Sequence, residues 1–376
     1  MITSYKTNKG DIMRTTISLI KADIGSIAGH VRPSDEIIKT VKDYIGKSNL
    51  IKSSFIFNCG DDIEILMSHH KGKDNEEIHK LAWSAFEEGT KKAKLQGLYG
   101  AGQDLLADSF SGNVKGMGPG IAELEFEERE NEPFAIFAAD KTDPGAFNLP
   151  LYSAFTDPMH NAGLMLSPKM HKGFKFTIMD VSHTKGDKII ELNAPEELYD
   201  IATLLRDTDR YVVESVHSKS SGEQVVSVST TRLHNIAGKY VGKDDPVFIT
   251  RLQGGFPAIG EVLSPFRTCH YVAGFMRGSH TGPLMPAKMD SSVSFFDGPP
   301  IVTALGFCVQ NGVLTHSVDL FEHHFWDHIR QKAAEKAVSI REQGFFGNAM
   351  LGMNELEYGG ITEKLNSLEP RFKVRK

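Results

Sequence analysis

From Arg14 the chain alternates β-branched and apolar residues in TTISLIKA, the period-two signature of a strand, and the run stops at Asp23-Ile24-Gly25-Ser26. The period then changes. Ser34 stands where an N-cap belongs, Asp35 and Glu36 suit a first turn, and Ile37, Ile38, Val41 and Ile45 recur on one helical face. SSFIFN and IEILMS return to strand periodicity on either side of Cys59-Gly60-Asp61-Asp62. Asn75 then caps a longer helix that turns Ile78, Leu81, Ala82, Ala85 and Phe86 inward, leaves His79 on the polar side, packs Trp83 and ends near Gly97.

Further along, IAELEFEE (121–128) alternates strictly, which predicts a half-exposed strand with its glutamates outward. FAIFAAD (134–140) is apolar on both faces and predicts a buried strand that delivers Asp140 and Lys141 at its end. Residues 145–172, rich in Pro, Gly and Met, read as connection. GFKFTIMDV, YVVESVH, EQVVSVSTTRL, VFITRLQ and IVTALGFCVQ read as strands. Asn193 and Pro195 open a helix to about Arg206, and a last amphipathic helix over about 325–343 turns Ile329, Ala333, Ala337 and Ile340 inward. Residues 1–12 have no periodicity and read as a disordered extension or a start assigned too early. With no repeat and no low-complexity linker, 13–376 reads as a single domain.

Composition narrows the function. A chain of 376 residues, 40% hydrophobic and 24% charged, has ample material for a core and reads as soluble and globular. Its net charge of −6, with no Lys/Arg run, argues against a nucleic-acid surface. It shows no apolar run of membrane-spanning length and no signal-peptide pattern. Cys59, Cys269 and Cys308 are odd in number and lack CxxC spacing, which fits a reduced cytoplasm.

Chemistry concentrates at residues 238–246, GKYVGKDDP, where Lys243 precedes Asp244 and Asp245 and follows Tyr240 by three positions. Gly242 and Pro246 favour a bent loop. A lysine beside two free carboxylates holds its proton firmly. Divalent cations on those carboxylates would invert the local charge and allow a neutral, reactive amine. Standing alone, the stretch reads more readily as a solvated charged turn. Asp23 at a strand end, with His30 seven residues on, fits a metal ligand or a turn cap, and the Asp61-Asp62 pair fits metal binding or a type I turn.

Taken together, Asp23, Asp61, Asp62, Asp140, Asp244 and Asp245, with Gln103 and His30, form an oxygen-rich set without Cys. Such hard ligands suit several Mg²⁺ rather than Zn²⁺, and clustered Mg²⁺ implies a phosphorylated substrate. Arg277, Lys141 and the glycine-rich 98–120 (LYGAGQDLLADSFSGNVKGMGPG) suit phosphate binding, although that segment is neither a Walker loop nor a dinucleotide fingerprint. Lys243 is the odd member, because phosphate hydrolysis needs no Schiff base whereas amine catalysis on a carbonyl does.

The runs ISLIKADIGSIAGH, GDDIEILM, YGAGQDLLADSFSGNVKGMGPG, ADKTDPGAFNLPLY, AGKYVGKDDPV, MRGSHTGPLMP and FDGPP closely resemble the archaeal-type bifunctional fructose 1,6-bisphosphate aldolase/phosphatase family, the class V fructose-1,6-bisphosphatases. The resemblance covers about residues 13–365. It implies an α/β (α+β) fold, a single four-layer α-β-β-α catalytic domain, assembled as a homo-octamer. It also implies an enzyme of gluconeogenesis that joins dihydroxyacetone phosphate to glyceraldehyde 3-phosphate, then removes the 1-phosphate of fructose 1,6-bisphosphate. Carried across, Lys243 resembles the Schiff-base lysine and Tyr240 the proton donor and acceptor. Asp23, His30, Asp61, Asp62, Gln103, Asp140, Asp244 and Asp245 match the Mg²⁺ ligands or their close neighbours. His30, Tyr99, Gly112, Asn113, Lys141, Gln253, Gly254, Arg277, Asp297 and Tyr358 match sugar-phosphate contacts. Two other readings compete: a monofunctional Mg²⁺-dependent sugar or inositol phosphatase in which Lys243 only pairs charge, and a non-catalytic phosphometabolite-binding protein. Because Lys243 and its neighbouring aspartates rarely serve two geometries from one loop, residues 240–245 are expected to take two arrangements, one per reaction.

Overall fold

The computed structural model of the chain describes residues 14–105, 118–183, 186–230, 244–272, 282–293, 298–342 and 360–375. Its first sheet runs β2 (Ser53–Cys59), β3 (Asp62–His69), β1 (Arg14–Ala22), β4 (Gly120–Glu127), antiparallel throughout. Alternation along β1 divides its apolar residues between two layers. Ile17 and Leu19 join Phe57, Leu66 and Leu124 on one face. Ile20 and Ala22 turn to the other, against Ile37, Val41 and Ile45 of α1 (Asp35–Ile45) and Ile78, Ala82 and Phe86 of α2 (Glu76–Leu95). Both helices begin at the caps expected of them: Ser34 Oγ accepts the Ile37 N–H, and Asn75 Oδ1 those of Glu77 and Ile78.

The second sheet has eleven strands among the described residues. Its path is β13 (Met285–Pro286), β14 (Ile301–Gln310), β5 (Glu132–Asp140), β10 (Val247–Arg251), β9 (Gln224–Val228), β8 (Tyr211–Ser218), β6 (Phe174–Asp180), β7 (Asp187–Ala194) and β17 (Lys373–Arg375). Two short strands, β15 (Val313–Leu314) and β16 (Val318–Asp319), pair with β14, while β11 (Tyr271–Val272) and β12 (Gly282–Pro283) form a separate ribbon. Here too the central strand is apolar on both faces. Phe134, Ile136 and Ala138 of β5 meet the first sheet. Ala135, Phe137 and Ala139 face the opposite way, toward α3 (Asn148–Thr156), α5 (Leu198–Leu205) and α7 (Phe325–Glu342), which contribute Leu151, Phe155, Ile201, Leu204 and Trp326. The remaining helices are α4 (Gly163–Leu166), α6 (Ile259–Leu263) and α8 (Gly360–Leu368). The order helix, sheet, sheet, helix is the four-layer α-β-β-α arrangement expected from the resemblance.

Four local expectations need correction. His79 is not on a polar face: it is buried and its Nε2 lies 3.2 Å from Glu123 Oε1. Glu123, expected outward on β4, lies beneath α2, because the outer face of this sheet is itself covered by helices. It stays ionised there because Ser18 Oγ (2.6 Å), the Asp74 N–H (2.7 Å) and His79 bond to it; burial opposes the charge, yet these bonds hold its pKa below the usual carboxylate range. Residues 145–172 are not mere connection but contain α3 and α4. Their Pro and Gly sit at turns and at the first helical turn, where neither opposes helix. Strand β7 also occupies 187–194, so the helix announced by Pro195 begins only at Leu198.

Phe137 is stacked on Phe248 (centroids 4.3 Å apart) and Phe266 (5.3 Å) at the centre of the layer beneath α3. Phe137→Ala should therefore lower unfolding free energy by about 3–5 kcal/mol and Phe137→Leu by clearly less. Denaturant midpoints for the two variants check this, and an alanine variant as stable as wild type would remove the stack from the core of that layer.

Candidate active site

Four chain segments converge where the inter-sheet layer reaches the ends of β1, β3 and β5. The register Ala22↔Ile63 places Asp23 beside the start of β3, where the Gly60-Asp61 turn and Asp62 lie. Asp140 ends β5, and its partner across the sheet is Ile301, while Val247, two residues after Asp245, lies opposite Ala138. Asp244 and Asp245 therefore arrive from the chain entering β10. The oxygens of Asp62, Asp140 and Asp245 lie within 4.8 Å of one another, as do the ligand atoms of Asp23, His30 and Asp61.

The backbone is shaped to allow this. Gly60 takes φ +61°, and a Cβ there would fall 1.6 Å from Asp140 Oδ2, the oxygen that accepts the Asp61 N–H at 3.1 Å. Lys141 (φ 65°) and Asp245 (φ 53°) both occupy the left-handed region. Asp245 is tied to the chain after β5 in both directions, accepting the Thr142 N–H at 2.6 Å and donating its own N–H to the Thr142 carbonyl at 3.3 Å. Lys141 sends its ammonium to Asp61 and, at 3.2 Å, to Asp140.

His30 Nδ1 lies 3.0 Å from Asp61 Oδ2 and 3.9 Å from Asp23 Oδ2, with its ring edge-on to Tyr99 (4.9 Å, 87°). Tyr99 is fixed by backbone bonds to Ser26 (3.0 and 3.2 Å) and remains about half exposed. Gln103 opens a 3₁₀ turn with its Oε1 beneath Gly100.

The electrostatics are those of a centre with too much negative charge. Burial raises the pKa of Asp23 well above the carboxylate range, and Asp61, Asp62 and Asp104 raise it further. Burial likewise raises Asp140; Asp61, Asp62 and Asp245 add to this, and Lys141 opposes it only in part. Asp61 goes the other way: burial opposes its charge, but Lys141 and His30 outweigh that and hold it below the usual range. Asp140 Oδ1 is buried and meets only the Lys141 ammonium, at 3.2 Å. Clustered, desolvated carboxylate oxygens that outnumber their cationic partners suit a hard divalent cation, so these residues fit a metal of that kind.

The structure brings together Asp23, His30, Asp61, Asp62, Asp140, Lys141 and Asp245, with Asp244 next in the chain and Tyr99 and Gln103 at the rim. It does not bring Gln253 and Gly254 there. They lie past the other end of β10, on the order of 20 Å away, in an exposed turn whose Gln253 carbonyl accepts from Arg129 at 2.7 Å. Gly112, Asn113, Tyr240, Lys243, Arg277, Asp297 and Tyr358 lie outside the described residues.

The sequence reading left four participants unassigned. Lys21 is fully buried and ion-paired with Asp62. Glu64, opposite Lys21, is also fully buried. Asp104 fixes the end of β1, its Oδ2 accepting the Asp23 N–H at 2.9 Å and its own N–H donating to the Asp23 carbonyl at 2.9 Å. Asp143, buried and bonded by Thr208 Oγ1, has a pKa raised to about 7 by that burial. For Lys21 and Glu64 the sequence signal was charge inside a strand, as with Lys21 in ISLIKA, whereas Asp104 and Asp143 lie in turns and carried no such signal.

A sequence profile of the fructose-1,6-bisphosphatase family matches residues 14–373. The chain is 53% identical to the fructose-1,6-bisphosphate aldolase/phosphatase of Thermus thermophilus, over 96% of this chain and 100% of that one. It is 48% identical to the protein of the same name from Methanothermobacter marburgensis (96% and 99%) and 50% identical to that from Ignicoccus hospitalis (96% and 93%).

Because Gly60 makes room for the Asp140 carboxylate, Gly60→Ala should displace it and weaken Mn²⁺ binding roughly 10–100-fold. Mn²⁺ titration followed by electron paramagnetic resonance measures this. An alanine variant binding Mn²⁺ like wild type would mean that the Asp140 position is unimportant to the cation.

Proposed function

The chain belongs to the fructose-1,6-bisphosphatase family, and from that premise we propose that it is a bifunctional, gluconeogenic aldolase and phosphatase. On this reading it condenses dihydroxyacetone phosphate with glyceraldehyde 3-phosphate and hydrolyses the 1-phosphate of the product, fructose 1,6-bisphosphate, leaving fructose 6-phosphate and inorganic phosphate. The observation that carries the reading is the paired carboxylate centre, Asp23/His30/Asp61 beside Asp62/Asp140/Asp245, in a chain about half identical to proteins bearing both activities in their names. Mg²⁺ is the cation the hard oxygen set favours. Held by those residues with Gln103 and Asp244, it would neutralise phosphate charge and lower the pKa of water.

The chain's own groups do the rest. Lys243 condenses with the ketone of dihydroxyacetone phosphate, releasing water and forming the imine; Tyr240 takes and returns the proton as the new carbon–carbon bond forms to the aldehyde. Lys141, already at Asp61 and Asp140, presents its ammonium to phosphate as it enters. Tyr99, Gly112, Asn113, Arg277, Asp297 and Tyr358 complete the sugar-phosphate contacts. Gln253 and Gly254, at the far end of β10, reach a substrate only from another copy of the chain. That placement supports a homo-oligomer, an octamer by family resemblance. Among the described residues no helix is long and apolar enough to cross a membrane, and we read the enzyme as cytoplasmic.

Purified protein supplied with both triose phosphates and Mg²⁺ should release inorganic phosphate and fructose 6-phosphate in equal amounts. Exhaustive chelation should abolish this and Mg²⁺ restore it. Asp61→Ala and Asp62→Ala should each lower phosphate release roughly 10–100-fold or more. Full turnover after verified metal removal would sink the metal assignment.

Borohydride with dihydroxyacetone phosphate should attach a covalent adduct to Lys243, and Lys243→Arg should lose both the adduct and the condensation. Hydrolysis of fructose 1,6-bisphosphate without any adduct would instead favour a monofunctional phosphatase.

A further inference from the structure

On the inward face of β1, Ile17 and Leu19 belong to the apolar layer between the sheets. The next residue on that face, where a third apolar side chain would continue the layer, is Lys21. Its side chain is fully buried and its ammonium is paired with Asp62 of β3. Directly across the strands stands Glu64, also fully buried. One Glu64 oxygen accepts the Cys59 N–H at 3.0 Å, and the other has no hydrogen-bond partner. Asp140 and Asp245, from the facing sheet, lie close enough to act on Lys21 through their charge. An ammonium inside a sandwich is expensive to desolvate, and a methionine of similar shape would continue the core at less expense. Packing alone gives no reason for a lysine here; the surrounding carboxylates do.

We propose that Lys21 is the built-in cation of this centre, a positioning residue that neutralises the core side of the Asp62–Asp140–Asp245 group. It holds Asp62 in place when no divalent cation is bound, and it leaves Asp245, the one of the three that is not fully buried, as the side from which a cation is taken up. Lys21 thereby sets how tightly that cation is held. The proposal rests on the reading that the acidic group binds divalent cations.

Charge arithmetic gives the test. Lys21→Met removes one positive charge a few ångströms from the cation position, so Mn²⁺ should bind about tenfold more tightly or better. Without metal the variant should unfold at lower temperature than wild type, and saturating Mn²⁺ should close most of that gap. Lys21→Arg keeps the positive charge and should leave Mn²⁺ affinity within about threefold of wild type. A lysine that merely fills space predicts equal or weaker Mn²⁺ binding in Lys21→Met, and that result overturns the proposal. If Lys21→Met does not fold without metal, Lys21→Gln decides: unchanged or weaker Mn²⁺ binding in it refutes the role. Wild-type protein that binds no Mn²⁺ would instead defeat the metal reading itself. Mn²⁺ affinities by paramagnetic resonance and metal-free melting curves supply every arm.

Discussion

The interaction on which this structure turns is the repulsion among carboxylates at one end of the inter-sheet layer. Asp23, Asp61, Asp62, Glu64, Asp104, Asp140 and Asp245 gather there, six of them buried and Asp245 partly so, and the lysines among the described residues facing them are Lys21 and Lys141. Their pKa values show the imbalance. Asp61 keeps its charge because Lys141 and His30 stand against it, while burial and like charge drive Asp23 and Asp140 upward. The opposite end of the same layer is resolved differently. There Glu132, at the start of β5, receives Arg251 through both oxygens at 3.0 and 2.8 Å, and Arg251 lies over the rings of Phe126 and Phe256. One end balances its own charge. The other is left short of positive charge, and that shortfall is the physical basis for reading it as a cation centre.

Holding like charges together requires a backbone that cannot relax away from them. Asp140 is pinned through the Asp61 N–H into space that only a glycine at position 60 leaves open. Lys141 and Asp245 sit in left-handed conformations that non-glycine residues adopt at a cost of about 1–3 kcal/mol each. The reciprocal Asp245–Thr142 bonds and the Asp23–Asp104 pair show what maintains that strain: each acidic segment is tied to the backbone of another. The sandwich behind them, with β5 apolar on both faces, supplies the rigid floor.

Much of this was legible in the sequence because it depends on local period and on residue type. Alternation gave β1 and β4, a run apolar on both faces gave β5, strand ends gave Asp23 and Asp140, and the bend between two strands gave Asp61 and Asp62. What was not legible depended on which faces become covered. Glu123 and His79 look solvated in a single-strand or single-helix pattern, yet the helix lies on the sheet and the two become hydrogen-bond partners. Lys21 read as one polar position in a strand, since periodicity cannot tell a snorkelling lysine from one that ends inside. Gln253 shows the converse. The family resemblance set it among the sugar-phosphate contacts, but β10 carries it away from the acidic group.

The two proposed reactions draw on the same charge balance. A lysine next to ionised carboxylates stays protonated and cannot attack a ketone; one whose neighbouring carboxylates are committed to cations can lose its proton. Lys21 and Lys141 belong to the first kind, each already engaged with an aspartate. On the proposed reading Lys243 belongs to the second, with Asp244 and Asp245 beside it available to cations. The division follows from position. Lys21 is rooted in the middle of a buried sheet and cannot leave its partner, Lys141 is held by the chain leaving β5, and Lys243 precedes β10 on a stretch that carries Gly242. On that reading a lysine that exchanges its counter-charge serves as a spectator to hydrolysis and a nucleophile in condensation, while Lys21 and Lys141, paired with Asp62 and Asp61, offset part of the negative charge of the carboxylate centre.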